Sequence, residues 1–193
     1  MATDTLSQLN IWFESNKLTL HVDKTSFTIF HARKNCNHAC IESFYFNGTR
    51  IRKSHFTQYL GLVIDENLTW KQHVNDLRNS LLKYIGIFHH IGDILPADTA
   101  IQIYYSFIYS RLTYAIEVYG TACTTVIKPL QTFQNRILKL LLKKPRRFNT
   151  NQLYLDCKVL KINDIHMYCM GVIVFKVDLK SRITRIYILE VGK

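Results

Sequence analysis

The chain has 193 residues, of which 48% are hydrophobic, and its formal net charge is +11 at pH 7. This composition excludes a largely disordered chain, and the length allows one domain or two small packed units. Five irregularly spaced cysteines argue against a disulfide framework and favour an intracellular location, either nuclear or cytoplasmic.

The first third of the chain is predicted to be one helix followed by strands. Apolar residues from Leu6 to Phe13 recur at helical spacing, and alternation predicts extended chain from Leu18 to Phe30, with a polar turn at Asp23-Lys24. Asn47-Gly48 lies between two apolar runs and predicts a hairpin, because a two-residue type I′ turn needs positive φ at both positions. A single strand is predicted from Phe56 to Ile64. Gly61 within it indicates a bulge or the close approach of another backbone.

The remainder of the chain is predicted to be helical. Asn67 or Thr69 can cap a long helix, a second helix begins near Ala97, and a third spans about Thr125 to Leu142. The last helix runs from Ile162 to about Leu179, and its apolar part is far shorter than the roughly 20 residues that cross a bilayer, so no membrane partner is expected. The fold class is therefore α+β, a small antiparallel sheet followed by a helical bundle.

Residues that could perform catalysis are not apparent. Metal-dependent phosphoryl transfer needs converging carboxylates, and the sequence contains no Asp-Asp or Asp-x-Asp pair. Asp65 and Glu66 are adjacent, but they lie at a strand end before a helix, where capping explains them. A zinc site is the metal alternative, although its spacing fits the usual pattern poorly and a surface loop is the simpler interpretation; the residues are His31, Cys36, His38 and Cys40. We predict no catalytic residue, no metal ligand and no cofactor.

Basic residues form the clearest candidate site. They lie on the exposed face of the 125–142 helix and in the segment after it, at Arg136, Lys139, Lys143, Lys144, Arg146 and Arg147. Such a cluster can neutralise nucleic-acid phosphates, although cations also cap helix ends and keep loops solvated. A smaller basic edge on the hairpin, Arg50 to Lys53, can equally protect a strand edge from aggregation. The aromatic residues from Tyr104 to Tyr119 can stack on bases or, at helical spacing, fill the core.

Three segments in a fixed order carry a family resemblance. The first runs from Leu9 to Leu20 and continues in Lys24-Thr25 and Phe30. The second is Tyr59-Leu60-Gly61-Leu62-Val63-Ile64-Asp65, followed by Leu68 to His73. The third comprises Ile94 to Pro96, Tyr104 to Tyr114, Glu117 to Gly120, Pro129-Leu130, Gln134-Asn135-Arg136 and Arg147. In this order and spacing, the segments resemble the reverse transcriptases of non-LTR (LINE-type) retrotransposons, from just after the catalytic aspartates onward.

The resemblance implies a division of the chain and several site residues. Residues 1–66 would be the end of a polymerase palm, residues 67–180 the thumb and post-polymerase region, and residues 181–193 stay unassigned. Lys24 matches the position beside the incoming nucleotide, although His21 replaces the usual asparagine nearby. Tyr59, Leu60 and Gly61 match the primer grip. The partners would be RNA, DNA or an RNA–DNA hybrid, bound through phosphates and shape.

The same resemblance implies an inactive chain. In this family the metal-binding aspartates, which use Mg²⁺, lie upstream of the segment that contains Trp12, so we expect them to be absent together with the fingers. A missing polymerase half is then a further candidate partner. The first hypothesis is a polymerase fragment with residual nucleic-acid binding. The alternatives are a domesticated helical protein-interaction module, marked by an exposed apolar stripe, or a non-functional relic.

Overall fold

The computed structural model describes residues 2–30, 43–46 and 48–191. The chain is a mixture of helices and small sheets, and it divides into two compact units, Met1–Gln72 and His73–Lys193. The four residues of the zinc alternative, His31, Cys36, His38 and Cys40, lie outside the described residues. None of the described helices is long and apolar enough to span a bilayer.

The described part of the first unit contains one long helix, one short 3-10 turn and two small sheets. Helix α1 spans Ala2–Ser15, and a single 3-10 turn spans Val22–Lys24. The first sheet has the order β1-β3-β2, with β1 parallel and β2 antiparallel to β3; the bounds are Ser26–Phe27, Phe44–Phe46 and Thr49–Lys53. The polar turn predicted at Asp23-Lys24 coincides with the 3-10 turn, and His21 and Thr25 on either side of it are extended, but the predicted strands are shorter than expected. Within residues 18–30, only β1 pairs with another strand.

The Asn-Gly hairpin is confirmed. Phe46 pairs with Thr49 and Phe44 with Ile51, so two residues connect β2 to β3, and Gly48 has a φ of 75°. Phe46 and Ile51 are both buried, while Arg50 and Arg52 alternate with Ile51 on the exposed side. The period-2 pattern therefore gives the hairpin one apolar and one basic face.

The predicted strand from Phe56 to Ile64 is instead a second hairpin. Strand β4 spans Phe56–Tyr59 and β5 spans Leu62–Asp65, and they pair in antiparallel register. Leu60 and Gly61 form the turn, with φ values of 46° and 81°. Both turn positions need positive φ in a type I′ turn, and Gly61 meets that requirement without strain. The glycine therefore marks a chain reversal and not a bulge.

Asp65 organises the loop that follows β5. Its carboxylate accepts hydrogen bonds from the backbone N–H groups of Asn67 at 3.2 Å, Thr69 at 3.0 Å and Trp70 at 2.8 Å. Burial raises the pKa of Asp65, but these backbone hydrogen bonds outweigh it and the net pKa lies below the usual value. Trp70 is buried at a positive φ of 62°. The capping interpretation of Asp65 agrees with these contacts.

Helices dominate from residue 71 onward. The helix predicted after Thr69 is two helices with a break at Lys83, and a π-helical turn at Tyr105–Tyr109 separates α4 from α5. The bounds are α2 Lys71–Leu82, α3 Tyr84–Ile94, α4 Ala97–Tyr104, α5 Ser110–Thr113, α6 Ile116–Tyr119, α7 Thr124–Leu141, α8 Thr150–Cys157 and α9 Ile162–Val191. Helix α9 extends past its predicted end.

Helix α7 lies at the centre of the second unit. It packs against α3, α4 and α8, while α9 packs against α5 and α6. The predicted inward positions of α7 are buried, as periodicity requires: Leu130, Phe133, Ile137 and Leu141. Gly92 of α3 lies so close to α7 that an added Cβ would be 2.8 Å from the carbonyl oxygen of Leu140. One face of α7 is thus buried in the core, and the opposite face lies at the surface.

Candidate nucleic-acid interface

The end of α7 is closed by a Schellman motif. The N–H of Lys144 donates to the carbonyl of Lys139 at 2.9 Å, and the N–H of Lys143 donates to that of Leu140 at 3.1 Å. Lys143 occupies the left-handed position with a φ of 51°, where glycine is the usual residue. The chain therefore turns sharply back after α7. The Lys139 ammonium then donates to the carbonyl oxygen of Arg146 at 2.7 Å, which holds the following loop against the helix.

This reversal creates a basic cleft, here called the loop cleft, between α7 and the loop. It has a volume of about 670 Å³ and is lined by Thr132, Asn135, Arg136, Lys139, Leu140, Lys144 and Arg146. Four of the six predicted phosphate contacts therefore come together here. Lys143 and Arg147 are exposed on the same loop but do not line the cleft. The Lys144 ammonium also lies 4.8 Å from the centre of the Phe148 ring, a cation–π contact.

A second cleft, the helix cleft, adjoins the first and shares Thr132 and Arg136 with it. It has a volume of about 400 Å³ and is lined by Asn75, Arg78, Leu82, Ile85, Thr125, Lys128, Pro129, Thr132, Phe133 and Arg136. Arg78 was not predicted, because its place beside α7 depends on how α2 packs and leaves no local signal. Lys128, which is exposed on α7, was likewise not predicted as a site residue.

The two clefts form one basic track. The described residues that line them include six cations and no carboxylate: Arg78, Lys128, Arg136, Lys139, Lys144 and Arg146. The interval from Lys128 to Lys139 covers about 16 Å of helix at 1.5 Å per residue. That length matches about five base-pair steps measured along a duplex axis, at about 3.4 Å of axis per step. The track can bind a phosphate backbone by charge and shape, without reading bases.

A polar network behind the track holds α7 in position. Gln134 is fully buried, and its amide nitrogen donates to the Tyr104 hydroxyl and to the Leu160 carbonyl, both at 2.9 Å. The Tyr154 hydroxyl lies 2.9 Å from Gln134 Oε1 and 2.6 Å from Asn135 Oδ1, and either oxygen can accept its single proton. In the Gln134-Asn135-Arg136 motif, two residues are therefore structural and Arg136 alone points into both clefts.

The other predicted site residues lie in the first unit, on separate elements. Lys24 is exposed in the 3-10 turn. Tyr59 and Leu60 are 64% and 71% exposed at the tip of the β4–β5 hairpin, next to Gly61. Within residues 2–30, 43–46 and 48–191, no group of three His, Cys, Asp or Glu side chains is arranged to hold a metal ion.

Comparison with known proteins identifies three related polymerases. The RNA-directed DNA polymerase from mobile element jockey of Drosophila funebris is 30% identical over 121 residues, which is 61% of this chain and 13% of that protein. The probable RNA-directed DNA polymerase from transposon X-element of Drosophila melanogaster is 24% identical over 123 residues, 62% of this chain and 14% of that protein. The jockey polymerase of D. melanogaster is 23% identical over 156 residues, 79% of this chain and 17% of that protein.

These relatives are much longer than the chain, which spans between 13% and 17% of their length. No protein-family model and no solved structure matches it. The resemblance indicated by the three sequence segments is nevertheless confirmed: the curated homologues of this chain are RNA-directed DNA polymerases of non-LTR mobile elements.

Proposed function

We propose that this chain is a fragment of a non-LTR retrotransposon reverse transcriptase that binds the phosphate backbone of RNA, DNA or an RNA–DNA hybrid along the basic track of α7. The observation that carries the proposal is the continuous track itself, two adjoining clefts lined by six cations without a carboxylate. The relatives named above are polymerases, whose templates and products carry phosphates in this spacing.

The two units take different roles in this proposal. The first unit corresponds to the end of a palm, with Lys24 near the nucleotide and the β4–β5 hairpin as the primer grip. The hairpin tip presents the exposed Tyr59 and Leu60 on a two-residue turn, a stiff arrangement suited to positioning a primer end. The helices from α2 onward correspond to the thumb and its extension, with α7 facing the duplex.

The proposal assigns no polymerase activity to the chain alone. Two-metal catalysis requires paired carboxylates, and the sequence has no Asp-Asp or Asp-x-Asp pair. A primer-extension assay with purified protein, Mg²⁺, a primed RNA template and deoxynucleotides tests this part. We expect no template-dependent DNA synthesis above a heat-inactivated control. Magnesium-dependent extension by the pure chain would refute it.

The binding part of the proposal is tested by fluorescence anisotropy with a labelled RNA–DNA hybrid. Six phosphate contacts predict a slope of about −5 for the logarithm of the association constant against the logarithm of the salt concentration. The combined substitution Arg136→Ser and Arg146→Ser removes two contacts and should lower the magnitude of the slope to about 4. Lys139 is left intact in this variant because it holds the loop.

A charge-matched control distinguishes binding by the basic track from attraction by the net positive charge of the protein. Lys71 and Lys176 are exposed and lie outside both clefts, so Lys71→Ser with Lys176→Ser removes the same charge. We expect the control to bind at least about fivefold more tightly than the track variant near 100 mM salt. Equal losses in both variants, or binding by the wild type that is independent of salt, would contradict the proposal.

A second candidate function, a helical protein-interaction module, is favoured by one observation. Helix α9 exposes a run of large apolar side chains, namely Met167, Tyr168, Val174, Phe175 and Val177. Sedimentation velocity at rising protein concentration tests it. We expect association that Val174→Glu abolishes, and a wild type that stays monomeric at high micromolar concentration would count against this candidate.

A further inference from the structure

A compact group of aromatic and basic side chains lies where α3 begins and the π-helical turn ends. The rings of Tyr84 and Phe107 are 6.1 Å apart and tilted by 45°. The Arg111 guanidinium lies 5.3 Å from the centre of the Tyr84 ring, and the Lys83 ammonium lies 5.8 Å from it. These four residues are called the aromatic patch below.

The patch stands on the exposed side of its elements. Ile108 and Leu112, four residues apart, are fully buried, whereas Phe107 and Arg111, with the same spacing, face outward. Phe107 is 51% exposed although it is a large apolar residue. Two cations beside two rings give a surface with flat apolar faces and positive charge, the combination that single-stranded nucleic acids require: bases stack on the rings while cations neutralise phosphates.

The aromatic patch lies next to the helix cleft in the chain. Leu82 and Ile85 line the helix cleft, and Lys83 and Tyr84 lie between them in the sequence. A strand that leaves a duplex held in the helix cleft can therefore reach the patch within a short distance. A base inside a duplex cannot present its face to Phe107, whereas an unpaired base can.

We infer that the aromatic patch binds an unpaired nucleotide of RNA or DNA, next to the duplex held by the basic track. The base stacks on the exposed Phe107 ring, and Arg111 and Lys83, which lie over the Tyr84 ring, hold the adjoining phosphates. This inference rests on the proposed function for its duplex partner, but it concerns a separate group of residues. It predicts that the protein prefers duplexes with a single-stranded overhang over blunt ones.

The test compares three probes: a blunt RNA–DNA hybrid, the same hybrid with a five-nucleotide overhang, and a free oligothymidylate. We expect the wild type to bind the overhang probe about tenfold more tightly than the blunt one, the gain that about one stacked base supplies. Phe107→Ala and Tyr84→Leu should abolish that difference and leave blunt-duplex affinity unchanged. Tyr168→Leu is the matched control, because Tyr168 is an exposed aromatic residue of α9, 63% exposed, outside the patch.

A second readout reports stacking directly. A 2-aminopurine in the overhang loses fluorescence when it stacks, so binding should quench it in the wild type and in Tyr168→Leu, but not in Phe107→Ala. Circular dichroism and thermal unfolding confirm that each variant is folded.

The outcomes separate this inference from the proposed function. Blunt binding without a gain from the overhang would overturn the inference and leave the track proposal standing. Patch-dependent binding of oligothymidylate without any blunt-duplex binding would overturn the track proposal and support the patch. No binding of any probe would overturn both.

Discussion

The buried amide of Gln134 gives the sharpest prediction for stability. Gln134→Leu preserves much of the side-chain volume but removes every hydrogen bond of the amide. The Tyr104 hydroxyl and the Leu160 carbonyl, each 2.9 Å from the Gln134 nitrogen, then lose that donor, while the Tyr154 hydroxyl keeps Asn135. Leaving the buried Tyr104 hydroxyl without this partner costs about 1–3 kcal/mol, whereas the carbonyl of Leu160, a residue that is 42% exposed, can bond to water.

A double substitution tests the cause of this loss. Tyr104 is fully buried, and burial raises the pKa of its phenol well above the usual value, so its hydroxyl stays protonated. Adding Tyr104→Phe to Gln134→Leu removes the hydroxyl that Gln134→Leu leaves without a partner. The double variant should therefore lose about 1–3 kcal/mol less free energy of unfolding than the sum of the two single variants.

Urea denaturation followed by circular dichroism measures all four proteins of this cycle. The slope of the unfolding free energy against urea concentration should be the same in all four proteins, as expected if they expose equal surface on unfolding. A loss below about 0.5 kcal/mol for Gln134→Leu, or full additivity of the two substitutions, would refute the view that this network positions α7.

Further predictions concern a helix contact, a loop and two thiols. Gly92→Ala should destabilise the protein by about 1–3 kcal/mol, since its Cβ would lie 2.8 Å from a backbone oxygen of α7, whereas Gly86→Ala in the same helix meets nothing within 4 Å and should be neutral or stabilising in thermal unfolding. Asp65→Asn should cost about 1 kcal/mol at pH 7, because a neutral amide oxygen accepts weaker hydrogen bonds than a carboxylate. Because the folded pKa of Asp65 is depressed, its contribution is present above the unfolded value near 3.8 and is lost as pH falls through the folded pKa, so the stabilities of the two proteins should converge below the folded pKa. Iodoacetamide at pH 8 should modify Cys123 at least tenfold faster than Cys157, as peptide mass mapping reports. Cys123 is exposed and a hydroxyl hydrogen bond lowers its pKa, whereas burial raises the pKa of Cys157 to about 11. Equal rates would show that Cys157 is accessible.

Prediction from the sequence succeeded where the signal was local. Helix α7 was predicted within one residue at each end, because its apolar residues repeat at helical spacing over five turns. The hairpin at Gly48 followed from turn chemistry. The second hairpin was missed because Leu60 at positive φ carries no residue signature, and Gly61 alone was interpreted as a bulge.

Prediction failed where separate elements meet. Arg78 lies in the polar face of α2, like other polar residues there, and only the packing of α2 and α3 beside α7 places it in the helix cleft. Conversely, Gln134 and Asn135 belong to a family-like motif next to Arg136 and suggested function, but their hydrogen bonds are structural.

The sequence by itself determined that strands are followed by helices, the hairpin at Gly48, the basic character of the chain and its similarity to mobile-element polymerases, since periodicity, turn chemistry and motif order are properties of the linear chain. Tertiary structure alone decided which cations share a cleft, which aromatic residues reach the surface and which polar residues are buried. The physical reason is that helix packing brings together side chains tens of residues apart, and no local pattern specifies which faces will meet.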